Sequence, residues 1–376
     1  MTTRTIAVAG GGTAGHVFPS LAVAAALEAT GDLTTLFLGT KDRIEGRLVP
    51  AAGHRFEHVD ATPLPRGLSP RLVTMPLTLR RAIRRCVEVL ESEHVVGVVT
   101  FGGFVSFPVD VAARRVGLPL VIHEQNSIPG IANRLASGWA DRVAVTYPGS
   151  ADAFRHPERA AVTGNPVRPE MLAASGLDRA SARETFGLKP EVPTLLVFGG
   201  SQGARTLNRA IVDSAPHWGD LDLQILHAAG AALHREAAAD WEKARRSHGG
   251  LGVRCVDFID DMAAAYAAAD VVVCRAGATS IAELTVQGKP ALLVPYPHAT
   301  ADHQRHNAEA LVHVGGARMI LDEDLSGERL AQEVRPLFED PDVLHRMIAS
   351  SRSFGRADAA DAVARLLRNL LPEPPA

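Results

Sequence analysis

Residues 5–16 read Thr5-Ile-Ala-Val-Ala-Gly-Gly-Gly-Thr-Ala-Gly-His16, an apolar run that breaks into a glycine-rich turn just ahead of a helical pattern. Residues 194–205, Thr194-Leu-Leu-Val-Phe-Gly-Gly-Ser-Gln-Gly-Ala-Arg205, repeat the junction, and Gly11-Gly12-Thr13-Ala14-Gly15 aligns with Gly199-Gly200-Ser201-Gln202-Gly203 at an offset of 188 residues. A strand, a turn with few Cβ atoms and a helix N-terminus together present backbone N–H groups to a phosphate oxygen. One such junction points to a nucleotide enzyme. Two, one in each half, point to two similar domains that face a cleft and both handle phosphates; the repeat is a duplication of architecture, not a solenoid period.

Around these junctions, strand-like runs alternate with helical patterns. In the first half the strands are expected at Thr5–Ala9, Thr34–Leu38, Val95–Thr100, Pro119–His123 and Arg142–Thr146, with helices at His16–Ala29, Leu72–Leu90, Ser106–Gly117 and Pro129–Ser137. The second half offers strands at Thr194–Phe198, Leu223–His227, Gly252–Val256, Val271–Cys274, Ala291–Val294 and Ala317–Leu321. Strands separated by helices predict βαβ units and parallel sheets, an α/β chain of two doubly wound domains. Gly164-Asn165-Pro166-Val167-Arg168-Pro169 is the expected hinge, because two prolines and a glycine interrupt both patterns. The expected division is 1–165, 166–350, and a segment 351–376 whose helix, Ser353–Leu370, packs back on the first domain before a proline-rich tail.

Composition sets limits. At 376 residues the chain exceeds one ordinary core, and 46% apolar with 22% charged residues is a globular balance. A net charge of −3 gives no global attraction for nucleic acid, so none is expected as a partner. Three widely separated cysteines, Cys86, Cys255 and Cys274, form neither a disulfide framework nor a metal knuckle, which points to a reducing cytosol. Neither a signal peptide nor a membrane-spanning stretch is read. The charge is uneven, however: from Leu64 to Leu90 there are six arginines (66, 71, 80, 81, 84 and 85) and one acid, Glu88. Leu72, Met75, Leu79, Ile83, Val87 and Leu90 form a core stripe, while Leu64, Leu68, Val73 and Leu77 lie among the arginines, a combination suited to an anionic membrane surface.

The first turn also fits G-x-G-x-x-G at Gly10, Gly12 and Gly15, but a dinucleotide site needs an acid at the end of the second strand. That strand ends Leu36-Phe37-Leu38-Gly39-Thr40, and Asp42 lies beyond it, so a nicotinamide enzyme is disfavoured. His16 is not required by packing at a helix start and can serve as a base or bind an anion. His123-Glu124-Gln125-Asn126 sits where a strand runs out, the edge at which open α/β sheets bind ligands. Ser280 and Glu283 match a capping box, yet Glu283 in a first turn can also chelate a ribose diol. Gln304 can read sugar hydroxyls. The D-x-D strings at 220–222, 322–324 and 340–342 read as loop and helix-start acids, and no metal is expected.

With GGGTAGHVFPSLAVA, HEQNSIPGIANR, GNPVR, GGSQGAR, FIDDMAAAYAAADVVVCRAGATSIAEL and PALLVPYPHATADHQRHNA in this order, the chain resembles the MurG family from about Ile6 to beyond Gly315. The resemblance implies a GT-B fold: two Rossmann-like domains with a cleft between them, an N-terminal acceptor and membrane-contact domain and a C-terminal donor domain. It implies an inverting transfer of N-acetylglucosamine from UDP-GlcNAc to the MurNAc C4 hydroxyl of undecaprenyl-diphosphate-MurNAc-pentapeptide (lipid I), giving lipid II, without a cofactor. Implied donor contacts are Asn126 on the N-acetylglucosamine, Arg168 from the hinge, Ser201 near the phosphates and Ile259 beside the uracil. Ala278, Thr279, Ser280, Ile281 and Ala282 surround the diphosphate and ribose, Glu283 holds the ribose hydroxyls and Gln304 the sugar. Thr13, Ala14 and Gly15 face the reacting end, and the first turn suits the acceptor's own diphosphate. His16 is the first candidate for the base, with Glu124 and His123 as rivals. The implied location is the cytoplasmic face of the cell membrane, held peripherally through the arginine-rich segment, with cell-wall synthesis or division proteins as candidate partners. Three other readings compete: a GT-B UDP-sugar transferase with a soluble acceptor, the nicotinamide enzyme, and a non-catalytic scaffold.

Overall fold

The computed structural model describes residues 3–62, 71–200, 202–247 and 251–373. It separates into two compact units, Met1–Arg168 with Arg356–Ala376, and Pro169–Gly355. The chain thus leaves the first unit after Arg168 and returns after Gly355, a few residues beyond the breaks expected at 165 and 350.

The first unit carries seven strands: β1 (Arg4–Ala9), β2 (Leu33–Gly39), β3 (Arg55–His58), β4 (Val95–Thr100), β5 (Leu120–Glu124), β6 (Arg142–Val145) and β7 (Ala160–Val162). All pair in parallel, in the order β3-β2-β1-β4-β5-β6-β7. A parallel sheet must be covered on both faces, so its strands read as continuous apolar runs. In β1, Ile6 and Val8 point to one core and Ala7 and Ala9 to the other, as the two-residue repeat of a strand demands. Helices Arg71–Ser92 and Ser106–Val116 cover the second of these cores through Cys86, Val89, Val109 and Ala112. The opposite core is closed by helix Ala14–Glu28 and by the distant helix Ala359–Arg368, which inserts Val363, Ala364 and Leu367. Burying such a valine or leucine is worth about 1.5–3 kcal/mol, enough to bind the returning segment to this unit. Arg368 Nη1 adds a hold on both Asp32 oxygens, at 3.0 and 3.1 Å. The Thr30 hydroxyl, with Arg368 and Arg4, keeps the Asp32 carboxyl at about 2, below the usual carboxylate range.

The second unit carries β8 (Thr194–Phe198), β9 (Gln224–Ala228), β10 (Gly252–Val256), β11 (Val271–Cys274), β12 (Ala291–Leu293) and β13 (Ala317–Met319). They too are parallel, in the order β10-β9-β8-β11-β12-β13. Their core centres on Leu195, Val197, Ile211, Trp218, Ile225, Trp241 and Leu292.

Three expectations need correction. Strands β3 and β7 went unread because both lie at sheet edges: Arg55-Phe-Glu-His58 and Ala160-Ala-Val162 are only partly covered and carry little apolar signal. The last helix is not continuous over 353–370. Helix Pro341–Phe354 stops at Gly355, and the chain starts again at Ala359. Gly355 is fixed by packing, since a Cβ there would lie 2.7 Å from the Thr285 carbonyl oxygen. Finally, Ser280 and Glu283 form no capping box. The N-cap of helix Ala278–Gln287 is Gly277, so Ser280 already lies inside the first turn.

Candidate functional site

In both sheets the strand order reverses once, between β1 and β4 and between β8 and β11. These are the switch points at which open α/β sheets receive ligands beyond the carboxyl ends of their strands. Each glycine turn follows the strand at one of them.

In the first unit, β1 leads into Gly10–Gly12, and helix Ala14–Glu28 begins after Thr13. Gly12 has φ +84°, which the glycine accommodates without strain. Beyond β4 a second turn, Gly102-Gly103, closes on the first; a Cβ on Gly103 would approach the Gly11 carbonyl oxygen to 2.5 Å and the His16 Nδ1 to 3.5 Å. His16 is half-buried, with Nδ1 3.0 Å from the Gly11 carbonyl oxygen and 3.1 Å from Thr13 Oγ1. A carbonyl oxygen only accepts, so Nδ1 carries the proton and donates it to Gly11. In the neutral ring the basic lone pair is then on Nε2.

The end of β5 is more tightly organised than its sequence indicated. His123 is fully buried; its Nε2 donates to the Gly164 carbonyl at 3.0 Å, and its Nδ1 accepts from Gln125 Nε2 at 3.1 Å. Burial pushes this imidazole down to about 4, so it stays neutral. Glu124 is likewise buried. Its two oxygens accept from the backbone N–H groups of Asn126 and Gly130, both at 3.0 Å, and from Asn133 Nδ2 at 2.8 Å and Asn126 Nδ2 at 3.3 Å. Burial raises the carboxyl above its ordinary range, and these hydrogen bonds pull it back. Glu124 therefore acts on the 124–133 loop and sets the position of Asn126. Arg168 lies with its guanidinium carbon 4.2 Å from the centroid of Phe18, on the first helix.

In the second unit, the turn after β8 is braced by β9. Gly203 and Gly230 both have positive φ, and a Cβ on Gly203 would stand 2.2 Å from the Ala229 carbonyl oxygen. Asn208 Nδ2 donates to that carbonyl at 2.8 Å, and Asn208 Oδ1 is 3.1 Å from His227 Nε2. Ser201, expected at the tip of this turn, lies outside the described residues. After β11 comes helix Ala278–Gln287, whose first turn holds Ala278, Thr279, Ser280 and Ile281, followed by Ala282 and Glu283. Thr279 Oγ1 is buried with no hydrogen-bond partner among the described residues. Glu283 is buried on the inner face of the helix, where Tyr266 donates its hydroxyl at 3.2 Å. Ile259 is buried too, whereas its neighbour Phe258 is 54% exposed.

Gln304 stands at the start of helix His303–His313, and its Oε1 accepts from the Tyr296 backbone N–H at 3.0 Å. Just before it, Ala301 and Asp302 adopt φ of 51° and 54°. An alanine held in this left-handed region stores backbone strain.

Two participants escaped the sequence reading. Arg275 ties together the Val294 and Pro295 carbonyls (3.2 and 3.1 Å), Thr206 (3.0 Å) and Asp322 (2.5 Å), and so joins the segment after β12, the start of helix Arg205–Asp213 and the turn at Asp322. It spends Asp322 of one D-x-D string; Asp340 of another caps helix Pro341–Phe354, and Asp220 of the third pairs with Arg335. The other is Glu45, buried under the first glycine turn. Nothing in the local sequence marks Glu45, because the turn and the residue meet only across β2.

The comparisons agree with this architecture. The glycosyltransferase family 28 N-terminal domain matches residues 6–145, and the family 28 C-terminal domain matches residues 194–363. The chain is 39% identical over 370 residues to the UDP-N-acetylglucosamine–N-acetylmuramyl-(pentapeptide) pyrophosphoryl-undecaprenol N-acetylglucosamine transferase of Desulforamulus reducens, covering 97% of this chain and 98% of that one. It is 41% identical to the protein of the same name from Streptomyces coelicolor, covering 95% of each. Among solved structures it is similar to Acinetobacter baumannii MurG, with a TM-score of 0.77 and 29% identity over 98% of this chain and 100% of that one.

Proposed function

From the premise that this chain belongs to the MurG family within glycosyltransferase family 28, we propose how its residues carry out the family's reaction. The enzyme transfers N-acetylglucosamine from UDP-GlcNAc to the MurNAc C4 hydroxyl of lipid I and releases UDP, giving lipid II with inversion at the anomeric carbon. The observation that carries this reading is the end-to-end match, together with the two family domains, whose ranges span both glycine turns and the strand-turn-helix around Glu283.

In the proposed mechanism, the C4 hydroxyl attacks the anomeric carbon while His16 Nε2 takes its proton. The Nδ1–H to Gly11 contact supports this role by fixing the tautomer in advance. His123 and Glu124 are positioning groups, since both are buried and hydrogen-bonded, His123 to the Gly164 carbonyl and Glu124 to its own loop. As the glycosidic bond breaks, charge grows on the diphosphate. The backbone N–H groups at the start of helix Ala278–Gln287, with Thr279 and Ser280, stabilise it through the helix dipole. Glu283 accepts from the ribose hydroxyls, Ile259 borders the uracil, and Gln304 holds the sugar from its strained loop. Asn126 and Arg168 keep their role as donor contacts, and Thr13, Ala14 and Gly15 serve the acceptor. The test is donor competition: labelled UDP-GlcNAc with a lipid I analogue, against UDP-glucose and UDP-GalNAc. UDP-GlcNAc is expected to dominate, and equal use of all three would refute the reading.

We assign membrane contact, at the cytoplasmic face, to the basic helix Arg71–Ser92. Arg80, Arg81, Arg84 and Arg85 are exposed on it beside Leu77, which is 61% exposed, while Ile83 and Leu90 are buried. Leu64–Pro70 lies outside the described residues, as do the side chains of Arg71 and Val73. Each arginine near an anionic surface contributes about 1 kcal/mol. The quadruple Arg80/Arg81/Arg84/Arg85→Glu variant is expected to lose co-sedimentation with anionic vesicles while keeping turnover on a short-chain, soluble acceptor. Undiminished co-sedimentation would take the membrane contact away from this helix.

A further inference from the structure

We infer that Glu45 is a positioning residue for the first glycine turn: its carboxylate is a built-in anion that takes the Gly12 N–H and thereby sets the His16 ring. Glu45 is 1% exposed. One oxygen accepts from Gly12 N at 2.9 Å, and the other accepts from Thr40 N at 3.3 Å and from the Thr40 hydroxyl. The fit is reciprocal. A Cβ on Gly11 would lie 2.6 Å from the Glu45 carboxyl carbon, and one on Gly39 would lie 2.8 Å from its Cγ. The glycines of both the turn and the β2 end are therefore required by this side chain as well as by backbone geometry.

Two consequences follow. In dinucleotide-binding folds the acid past the second strand faces a ribose, and the glycine-turn amides face the pyrophosphate. Here no acid ends the second strand; Glu45, on the helix Ile44–Ala51 that follows, turns its carboxylate onto one of those amides and does not leave that N–H for a phosphate. The first turn keeps the fold of a dinucleotide site while its anion position is filled from within. Moreover, the turn clamped by Glu45 supplies the Gly11 carbonyl that receives His16 Nδ1–H at 3.0 Å. Removing the carboxylate frees Gly12, and with it the carbonyl that holds the imidazole tautomer and orientation.

This inference rests on the role of His16 proposed above, so the experiment separates the two. Glu45→Ala is expected to lower kcat about 100-fold, the scale of a misplaced reacting group, with the KM for UDP-GlcNAc within about twofold of wild type. In a His16→Ala background the same change is expected to add less than about threefold, because both act through one ring. Glu45→Gln, whose amide oxygen still accepts from Gly12, is expected to recover most of the rate. Glu45→Asp, too short to span the gap, reproduces the alanine pattern should Glu45→Ala not fold. Hydrogen exchange of the peptide covering Gly10–His16 is expected to quicken in Glu45→Ala with the rest of the protein unchanged. Full kcat in Glu45→Ala, or a loss carried undiminished into the His16→Ala background, overturns the inference. If His16→Ala alone turns over normally, the base assignment fails by itself. The clamp then stands if exchange at the turn quickens in Glu45→Ala and falls if it does not.

Discussion

Replacing His16 by alanine is expected to lower kcat by about 10²–10⁴, the usual contribution of a positioned general base, while UDP affinity stays near wild type. The split is diagnostic because His16 belongs to the first unit, whereas the helix assigned to the nucleotide belongs to the second. The base must act on the acceptor hydroxyl in the transition state only, so its loss appears in turnover rather than in ground-state binding. Steady-state kinetics with a lipid I analogue, paired with calorimetric UDP titration, check it. A variant with unchanged kcat would take His16 out of the mechanism. Since Nδ1 is committed to Gly11, a glutamine in place of His16 is not expected to rescue the rate.

The Glu283→Ala variant is expected to show the opposite pattern. Two charge-assisted hydrogen bonds to a ribose diol, at about 1.5 kcal/mol each, amount to about 3 kcal/mol, or an affinity loss on the order of 100-fold. The loss should be expressed as a raised KM for UDP-GlcNAc and weaker UDP binding, with kcat at saturation much less affected. Glu283 is well placed for this, because it is buried on a helix whose N-cap is a glycine and its carboxylate is steadied by Tyr266. UDP binding at wild-type strength in Glu283→Ala would move the ribose contact elsewhere. A capping role would instead lower thermal stability without changing affinity, and the observed N-cap at Gly277 argues against it.

The strand-turn-helix junctions were legible because their signals are local. Apolar runs such as Ile6–Ala9 and Leu195–Phe198 are buried on both faces, and the glycines that end them serve backbone conformations no other residue adopts as readily. The edge strands β3 and β7 were not legible, because a partly exposed strand need not be apolar. The break at Gly355 was hidden for a related reason: the sequence on either side is helical, and only the Thr285 carbonyl forbids a side chain there. At the sites, residue identities could be read but several roles could not. Glu124 reads from sequence as a rival base, and only the structure shows its carboxylate accepting from four donors of the 124–133 loop. Ser280 looked like a cap until the helix began three residues earlier.

The sequence alone determined the two α/β halves, the doubled strand-turn-helix junction, the family and hence the reaction, since these depend on periodicity and on motifs contiguous along the chain. Tertiary structure alone decided which nitrogen of His16 bears its proton, why Glu124 and His123 are occupied, and that Glu45 fills the anion position of the first turn. Those facts depend on groups far apart in sequence meeting at hydrogen-bond distance, as Glu45 does with Gly12 across 33 residues. Hydrogen bonds act over about 3 Å, and no pattern along a chain records which distant groups folding will bring that close.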